Sequence, residues 1–105
     1  MLVLVLPHLV AGRDLADLML DRLADSFQHE TVVVDARRTA SGSPSFASQL
    51  VQRTLADGGA DCLILVGAPS RFAQHVTESA SRRSVAGRLD LTPAMPARAD
   101  GVVTT

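Results

Sequence analysis

The sequence predicts a single layered α/β domain, in which a four-stranded, mostly parallel sheet has helices packed on it. Short apolar segments alternate along the chain with longer segments of helical spacing, in the order β-α-β-α-β-α-β. Strands separated by helices need crossover connections, and such connections make neighbouring strands parallel. The length of 105 residues fits one domain with one hydrophobic core.

Four short segments have the composition of β-strands. Residues 1–6 are apolar throughout and end at Pro7. Residues 31–36 contain three successive valines, and residues 61–67 are again almost entirely apolar. The first and third of these runs show no alternation, which is typical of strands buried on both faces of a sheet. Residues 88–92 do alternate, which predicts an edge strand with one solvated face.

The segments between these strands predict three helices. The first spans residues 13–27, and its apolar residues share one stripe: Leu15, Leu18, Met19, Leu23 and Phe27. The second begins with Ser43 as a favourable N-cap and Pro44 at the first helical position, where an N–H is not needed. The third begins in the same way at residues 68–70 and ends before Gly87.

The end of the chain differs in composition from the rest. Residues 93–105 are rich in proline and alanine and show no periodicity. This composition predicts a linker or mobile tail, and the alternative that Val102 and Val103 dock as a short extra strand stays open. The chain therefore divides into an α/β domain of residues 1–92 and a Pro/Ala-rich tail of residues 93–105.

Charge and composition argue against several kinds of partner. The net charge is −1, all ten basic residues are arginine, and aromatic residues make up 3% of the chain. This balance provides neither the basic field nor the stacking residues of a nucleic-acid-binding protein. The longest apolar run is far shorter than the ~20 residues that span a bilayer, and Cys62 is the only cysteine. We therefore expect a cytoplasmic protein with no nucleic-acid or membrane partner.

The familiar catalytic and cofactor motifs do not occur in the sequence. Neither glycine-rich phosphate-binding pattern is present, and there is no lysine to serve a phosphate loop. The three histidines, His8, His29 and His75, lie in different segments without metal-ligand spacing, and Cys62 falls in a predicted buried strand. We therefore expect no cofactor, no metal ion and no catalytic residues.

The densest group of polar residues follows the second predicted strand. Asp35 ends that strand, and Ser41, Ser43 and Ser45 follow in the loop and the helix start. This position is the carboxyl end of a strand, where open α/β sheets bind ligands. A serine at a helix N-terminus can also carry a phosphate, which the helix dipole stabilises. The commoner alternative stays open: Ser43 or Ser45 only caps the helix, and Asp35 accepts hydrogen bonds within the loop.

Five arginines can likewise be interpreted either as a binding site or as ordinary surface charge. Arg37 and Arg38 follow the second strand, whereas Arg82, Arg83 and Arg88 lie near the end of the third helix. Together they would form a basic patch for a phosphate group or an acidic partner. The commoner alternative is solvated charge, because cations are favoured at the C-terminus of a helix in any case.

The segment of residues 32–50 resembles STAS domains, and most closely the bacterial and archaeal STAS-like domain family of unknown function. The similarity rests on residues 32–35, 43–50 and 63–66, and in element order it extends over residues 1–91. STAS domains of the anti-sigma factor antagonist type carry a D-S-S-G motif at this helix start. One serine of that motif is phosphorylated by a partner kinase. Ser45 matches the second serine, whereas Ser43, Pro44 and Phe46 stand where the motif has Asp, Ser and Gly.

The resemblance implies a regulatory or protein-interaction module without catalysis, similar to anti-sigma factor antagonists. It also implies a protein partner, a histidine-kinase-type ATPase domain, because such domains often accompany the STAS-like subgroup. The expected binding surface is the loop of residues 37–45 with the helix that it opens. Its candidate residues for partner binding or phosphorylation are Ser45, Ser43, Asp35, Arg37, Arg38 and Phe46.

Two other functions remain open from the sequence. The first is a small-molecule or nucleotide-binding protein that uses the carboxyl edge of the sheet around His8, Asp35 and residues 68–70. Such a site needs a concave pocket with converging polar groups. The second is assembly, because the apolar content and the edge strands would support a homodimer.

Overall fold

The structure is a computed structural model and describes residues 1–93. The remaining residues of the predicted tail lie outside the described range. The strands are β1 (Leu2–Val5), β2 (Leu9–Val10), β3 (Thr31–Asp35), β4 (Ser41–Gly42), β5 (Cys62–Val66) and β6 (Leu89–Thr92). The helices are α1 (Arg13–Leu23), α2 (Pro44–Val51) and α3 (Ser70–Arg82). A π-helical turn (Gln52–Ala56) extends α2, and a 3₁₀ turn (Ala86–Arg88) precedes β6.

Four of the strands form the main sheet, in the order β1-β3-β5-β6. All three neighbouring pairs are parallel, and Leu4, Val34 and Leu65 lie side by side across the first three strands. This arrangement confirms the predicted α/β class with its four-stranded parallel sheet. Because the strands are parallel, their carboxyl ends and the loops that follow them lie at one edge of the sheet.

All three helices lie on one face of the main sheet. The strands cross the sheet in sequence order, so right-handed crossovers return every helix to the same side. Accordingly, α1 packs against α2, and α2 packs against α3. The opposite side, which we call the open face, carries five apolar residues that contact solvent to different extents: Val3, Val5, Val33, Ile64 and Val66. The prediction that β1 and β5 are buried on both faces is therefore wrong.

The hydrophobic core lies between the helices and the sheet. Its largest fully buried side chains include Phe46, Phe72, Leu6, Leu20, Leu50, Leu55, Leu63 and Leu65. The predicted stripe of α1 is rotated from the observed one, because Ala16 and Leu20 are buried whereas Leu18 is 48% exposed. Helix α1 also ends at Leu23, so Phe27 enters the core from the following loop.

A second, two-stranded sheet lies beyond the carboxyl edge of the main sheet. Strands β2 and β4 pair in parallel, with Leu9 opposite Ser41 and Val10 opposite Gly42. Since β2 follows β1 and β4 follows β3, this pair joins the loops that leave two neighbouring strands. We predicted loops for both segments. Each strand is only two residues long, and Ser-Gly is a poor strand former.

Candidate functional site

The candidate site is the loop between β3 and α2, which hydrogen bonds hold against the loop after β1. The Thr39 hydroxyl donates to the Pro7 carbonyl oxygen at 2.9 Å. The backbone N–H of Ala40 donates to the carbonyl oxygen of His8 at 2.8 Å. Together with the β2–β4 pair, these bonds attach the loop to its neighbour along most of its length.

Ser43 links the starts of two helices. Its Oγ accepts a hydrogen bond from the Phe46 N–H at 3.1 Å, which is the N-cap interaction of α2. The same oxygen accepts the N–H of Gly12, the residue before α1, also at 3.1 Å. Gly12 has a φ of +86°, a conformation that glycine adopts at little cost. The Ser43–Pro44 pair predicted the cap but not the hydrogen bond from Gly12, for which the only sequence signal was a glycine directly before the first predicted helix.

Ser45 occupies the second position of α2, beside the cap. Its hydroxyl oxygen lies 3.1 Å from that of Ser43, within hydrogen-bond distance, and its side chain is partly buried. A phosphate on Ser45 would replace this hydroxyl bond. It would also place up to about two negative charges at the N-terminus of α2, where the helix dipole favours them.

Asp35 and Arg37 form a bidentate ion pair at the end of β3. The Asp35 carboxylate accepts hydrogen bonds from Arg37 Nε at 2.9 Å and from Nη2 at 2.8 Å. It also accepts the backbone N–H of Arg37 at 3.1 Å. The hydrogen bonds from the Arg37 side chain hold the pKa of Asp35 below its ordinary value of 3.8, against an opposing effect of burial. The carboxylate is therefore ionised at neutral pH and neutralises much of the Arg37 charge.

Other side chains of the loop face solvent from this fixed backbone. Arg38 is exposed and makes no ion pair with any residue of the range 1–93. Leu9, which is 60% exposed, lies opposite Ser41 in the small sheet. We call this region the loop surface, and it consists of Leu9, Arg37, Arg38, Ser41 and Pro44. It combines positive charge with an apolar side chain.

Phe46 lies in the core rather than on the loop surface. Its side chain is fully buried, and its ring centroid is 6.1 Å from that of Phe72. Phe72 in turn packs over Gly42, where an added Cβ would come within 2.7 Å of the ring atom Cε1. Phe46, a sequence candidate for partner contact, therefore anchors the start of α2 and offers no surface to a partner.

The five arginines do not form one basic patch. Arg83 donates to the Ser48 hydroxyl at 2.8 Å. Arg88 donates to the carbonyl oxygens of Ala60 at 2.8 Å and Leu55 at 2.7 Å. Arg88 therefore binds backbone carbonyl oxygens of the segment between α2 and β5. This segment lies at the opposite edge of the sheet from the loop surface.

The alternative small-molecule site is divided between separate depressions. One, of about 550 Å³, is lined by Val5, Asp35, Arg37 and Arg38. Another, of about 220 Å³, is lined by Ala40, Ser41, Gly42, Pro69, Arg71 and Phe72. Asp35 and Pro69 thus line different depressions, and neither depression includes His8. In these two depressions, the polar groups expected to converge do not come together.

Two further features are absent from the part of the chain that the structure describes. Within residues 1–93, no three His, Cys, Asp or Glu side chains cluster closely enough to hold a metal ion. No helix in the same range has the length and apolar character needed to cross a membrane.

Comparisons with protein-family models, curated protein sequences and solved structures give no match for this chain. The similarity of residues 32–50 to STAS-like domains therefore stays a prediction. What supports a function is the geometry of the loop surface.

Proposed function

We propose that this protein is a non-catalytic regulatory module that binds a partner protein through the loop surface and the start of α2. The supporting observation is a loop with an ordered backbone and exposed side chains. Thr39 and Ala40 attach the loop to residues 7–10, while Arg38 and Pro44 face solvent. A surface that is already ordered loses little conformational entropy when it binds. Binding residues are also commonly found on loops held by a rigid scaffold.

The charges of the loop surface favour an acidic or phosphorylated partner. Asp35 neutralises much of the charge on Arg37, so Arg38 supplies the surplus positive charge. A guanidinium group recognises carboxylate and phosphate groups with paired hydrogen bonds. The resemblance to STAS-like domains suggests a histidine-kinase-type ATPase domain as this partner, in the cytoplasm.

Phosphorylation of Ser45 would be the regulatory step in this proposal. Its hydroxyl lies beside the cap of α2, and Ser45 directly follows Pro44 of the loop surface. A phosphate there would change the sign of the local charge from positive to negative. An acidic partner attracted by Arg38 would then be repelled.

Affinity capture from a lysate of the native host tests the binding surface. The wild-type chain is expected to retain a specific protein, and Arg38→Glu is expected to lose it. Arg82→Glu is the matched control, because Arg82 is also exposed but lies at the end of α3. Circular dichroism would verify that each variant is folded. Equal capture by both variants would rule out the loop surface as the binding site.

The Ser45 step has a separate test. Ser45→Ala is expected to bind the captured protein as the wild type does, whereas Ser45→Glu binds it more weakly. Mass spectrometry of the protein isolated from its host is expected to find phosphate on Ser45. If Ser45→Glu binds the captured protein as the wild type does, regulation by phosphorylation of Ser45 is wrong. This holds even where the loss of capture by Arg38→Glu supports the binding surface.

The small-molecule function receives no comparable support. Of its expected residues, Asp35 and Pro69 line two different depressions, and such a function needs one pocket with converging polar groups.

A further inference from the structure

A row of polar side chains, which we call the polar seam, joins α1 to α2 and the π-helical turn that extends α2. The two helices run in the same direction, because both return from the carboxyl edge of one parallel sheet. Asp17 on α1 accepts hydrogen bonds from Gln49 at 2.8 Å and from Arg53 at 2.9 Å. Asp21, one turn further along α1, accepts a hydrogen bond from Arg53 at 2.7 Å. Two successive turns of α1 therefore place an acid opposite a donor.

The same spacing places Arg13 opposite Ser45 at the start of the polar seam. Residues four apart lie on one face of a helix, which puts Arg13 one turn before Asp17 on α1. In the same way, Ser45 lies one turn before Gln49 on α2. Since Asp17 contacts Gln49, the preceding turns of the two parallel helices bring Arg13 beside Ser45.

Contacts at the helix starts support this pairing. Ser43 Oγ lies 3.1 Å from the backbone nitrogen of Gly12 and 3.1 Å from Ser45 Oγ. The Ser45 hydroxyl is therefore two short contacts away from the residue that directly precedes Arg13. Because arginine has a long side chain, the guanidinium of Arg13 can reach a group attached to Ser45.

The charge of Arg13 has no partner of opposite sign in the part of the chain that the structure describes. Arg13 is exposed and makes no ion pair with any of residues 1–93. The pKa of Asp17 lies below its ordinary value of 3.8, chiefly because Gln49 and Arg53 donate hydrogen bonds to it, and the charge of Arg13 adds to this effect. A cation at the first position of a helix is also opposed by the helix dipole. The first turn of the polar seam thus places a free positive charge opposite a hydroxyl.

We propose that Arg13 binds the phosphate group of phosphorylated Ser45, so that the polar seam extends to the first turns of both helices. This inference rests on the phosphorylation of Ser45 proposed above. In that step the Ser45 oxygen bonds to the γ-phosphorus of a nucleoside triphosphate while the bond to the departing nucleoside diphosphate breaks. The hydroxyl proton passes to a base of the kinase. The guanidinium then donates paired hydrogen bonds to the phosphate oxygens.

The phosphate stays a negative group in this arrangement. Phosphoserine carries a charge of about −2 near pH 7, and one arginine offsets about half of it. The phosphorylated helix start therefore still repels an acidic partner, as the proposed regulation requires. What Arg13 adds is a fixed position for the phosphate, because α1 packs against the helix that carries it. Arg13 is thus a positioning residue for the modified serine.

Phosphorus NMR titration of a chain with phosphoserine built in at position 45 during translation tests the contact. The second pKa of phosphoserine is about 6 without a partner, and a bound guanidinium lowers it. Arg13→Gln is expected to raise this pKa by roughly 0.5, the effect of an exposed ion pair.

Arg22→Gln is the matched control for this titration. Arg22 is also exposed on α1 but lies about 14 Å further along the helix than Arg13. That separation exceeds the screening length of about 8 Å at an ionic strength of about 0.15 M. The control variant is therefore expected to change the pKa of the phosphate by less than about 0.1.

Thermal denaturation distinguishes phosphate binding from a purely structural role of Arg13. Arg13→Gln is expected to lower the melting temperature by about 3 °C more in the phosphorylated chain than in the unmodified chain. A structural role that does not involve the phosphate would give the same loss in both chains. The additional loss is expected to become smaller in about 1 M salt, which screens exposed ion pairs.

Three results would overturn the inference: an unchanged phosphate pKa in Arg13→Gln, an equal rise in Arg22→Gln, or equal losses of melting temperature with and without phosphate. Each of them leaves the proposed regulation intact, because that regulation depends on the charge of the phosphate and not on Arg13. Absence of phosphate from Ser45 in the native host would overturn both. A pKa rise specific to Arg13→Gln, together with the larger loss of melting temperature, supports the inference.

Discussion

The hydroxyl oxygen of Ser43 accepts the backbone N–H of Gly12 at 3.1 Å, across 31 residues of sequence. Because the same oxygen caps α2 through the Phe46 N–H, one side chain sets the relative position of the starts of two helices. The loop that carries Arg37 and Arg38 ends at this residue. Ser43 therefore fixes the end of the loop, while Thr39 and Ala40 hold its middle against residues 7–10.

Replacement of Ser43 by alanine is expected to destabilise the fold. Ser43→Ala removes the acceptor of two backbone N–H groups, which corresponds to a loss of about 1–2 kcal/mol in the free energy of unfolding. Urea denaturation followed by circular dichroism measures this loss. Ser81→Ala, at an exposed position of α3, serves as the control and is expected to change stability by less than about 0.5 kcal/mol. Equal effects of the two substitutions would contradict the role assigned to Ser43.

A side chain at position 42 is expected to disturb the aromatic pair behind the loop. Gly42→Ala would bring a Cβ within 2.7 Å of Phe72 Cε1, so the Phe72 ring must shift, which disturbs its packing against Phe46. The expected cost is about 1–3 kcal/mol, as for other overpacked sites. Gly87→Ala is a matched control, because an added Cβ there meets nothing within 4 Å. Thermal denaturation compares the stabilities of the two variants. If Gly87→Ala is the less stable one, the contact between position 42 and Phe72 does not determine the cost.

The pKa of Asp35 is expected to rise when Arg37 is replaced. Arg37→Gln removes the side-chain hydrogen bonds that hold this pKa below its ordinary value of 3.8. Because the pKa of Asp35 is lower in the folded chain, the pair stabilises the fold above about pH 4. That contribution disappears as the pH falls through the lowered pKa, so the variant should show a weaker pH dependence of stability below about pH 4.

Carboxyl-carbon NMR titration gives the Asp35 pKa directly. Arg38→Gln is the control, because Arg38 lowers the same pKa only through its more distant charge. The control variant is expected to show the smaller rise. A larger rise in Arg38→Gln than in Arg37→Gln would contradict the ion-pair geometry.

Arg88 is expected to contribute to stability although it is a charged residue near the surface. Its guanidinium donates to the carbonyl oxygens of Leu55 and Ala60, so Arg88→Ala leaves two partly buried acceptors without protein donors. We expect a loss of about 1–2 kcal/mol by urea denaturation. Arg82→Ala, at an exposed position of α3, should be nearly neutral. A neutral Arg88→Ala would mean that water replaces both hydrogen bonds.

The elements of the fold could be predicted because their signals are local. The valine run of β3 and the Ser43–Pro44 start of α2 lie within a few residues of the structure that they specify. The end of α1 was predicted four residues too late, because Phe27 continues the apolar spacing although the chain has left the helix. Apolar spacing indicates which residues are buried, but it does not show where the backbone stops being helical.

The candidate site could be predicted only in outline. Asp35, Ser43 and Ser45 do lie at the carboxyl edge of the sheet, as the order of strands and helices implied. Phe46 is buried instead of facing a partner, because the helical phase at that position points into the core. The contacts of the loop with residues 7–10 had no sequence signal, since hydrogen bonds between distant loops leave no periodicity.

Composition and helix-start residues were sufficient for the α/β class, the parallel sheet and the position of the loop. The signals for the strands and helices lie in residues that are close in the chain, and the alternation of strands with helices then requires crossovers that make neighbouring strands parallel. Local patterns did not show which face of the sheet the helices cover. The order of the strands determines this, since it places all three helices on one side. As a result, the apolar runs that predicted strands buried on both faces instead form one buried face and one open face. Which side of a strand is covered depends on where its crossovers lead, and only the tertiary structure contains that information.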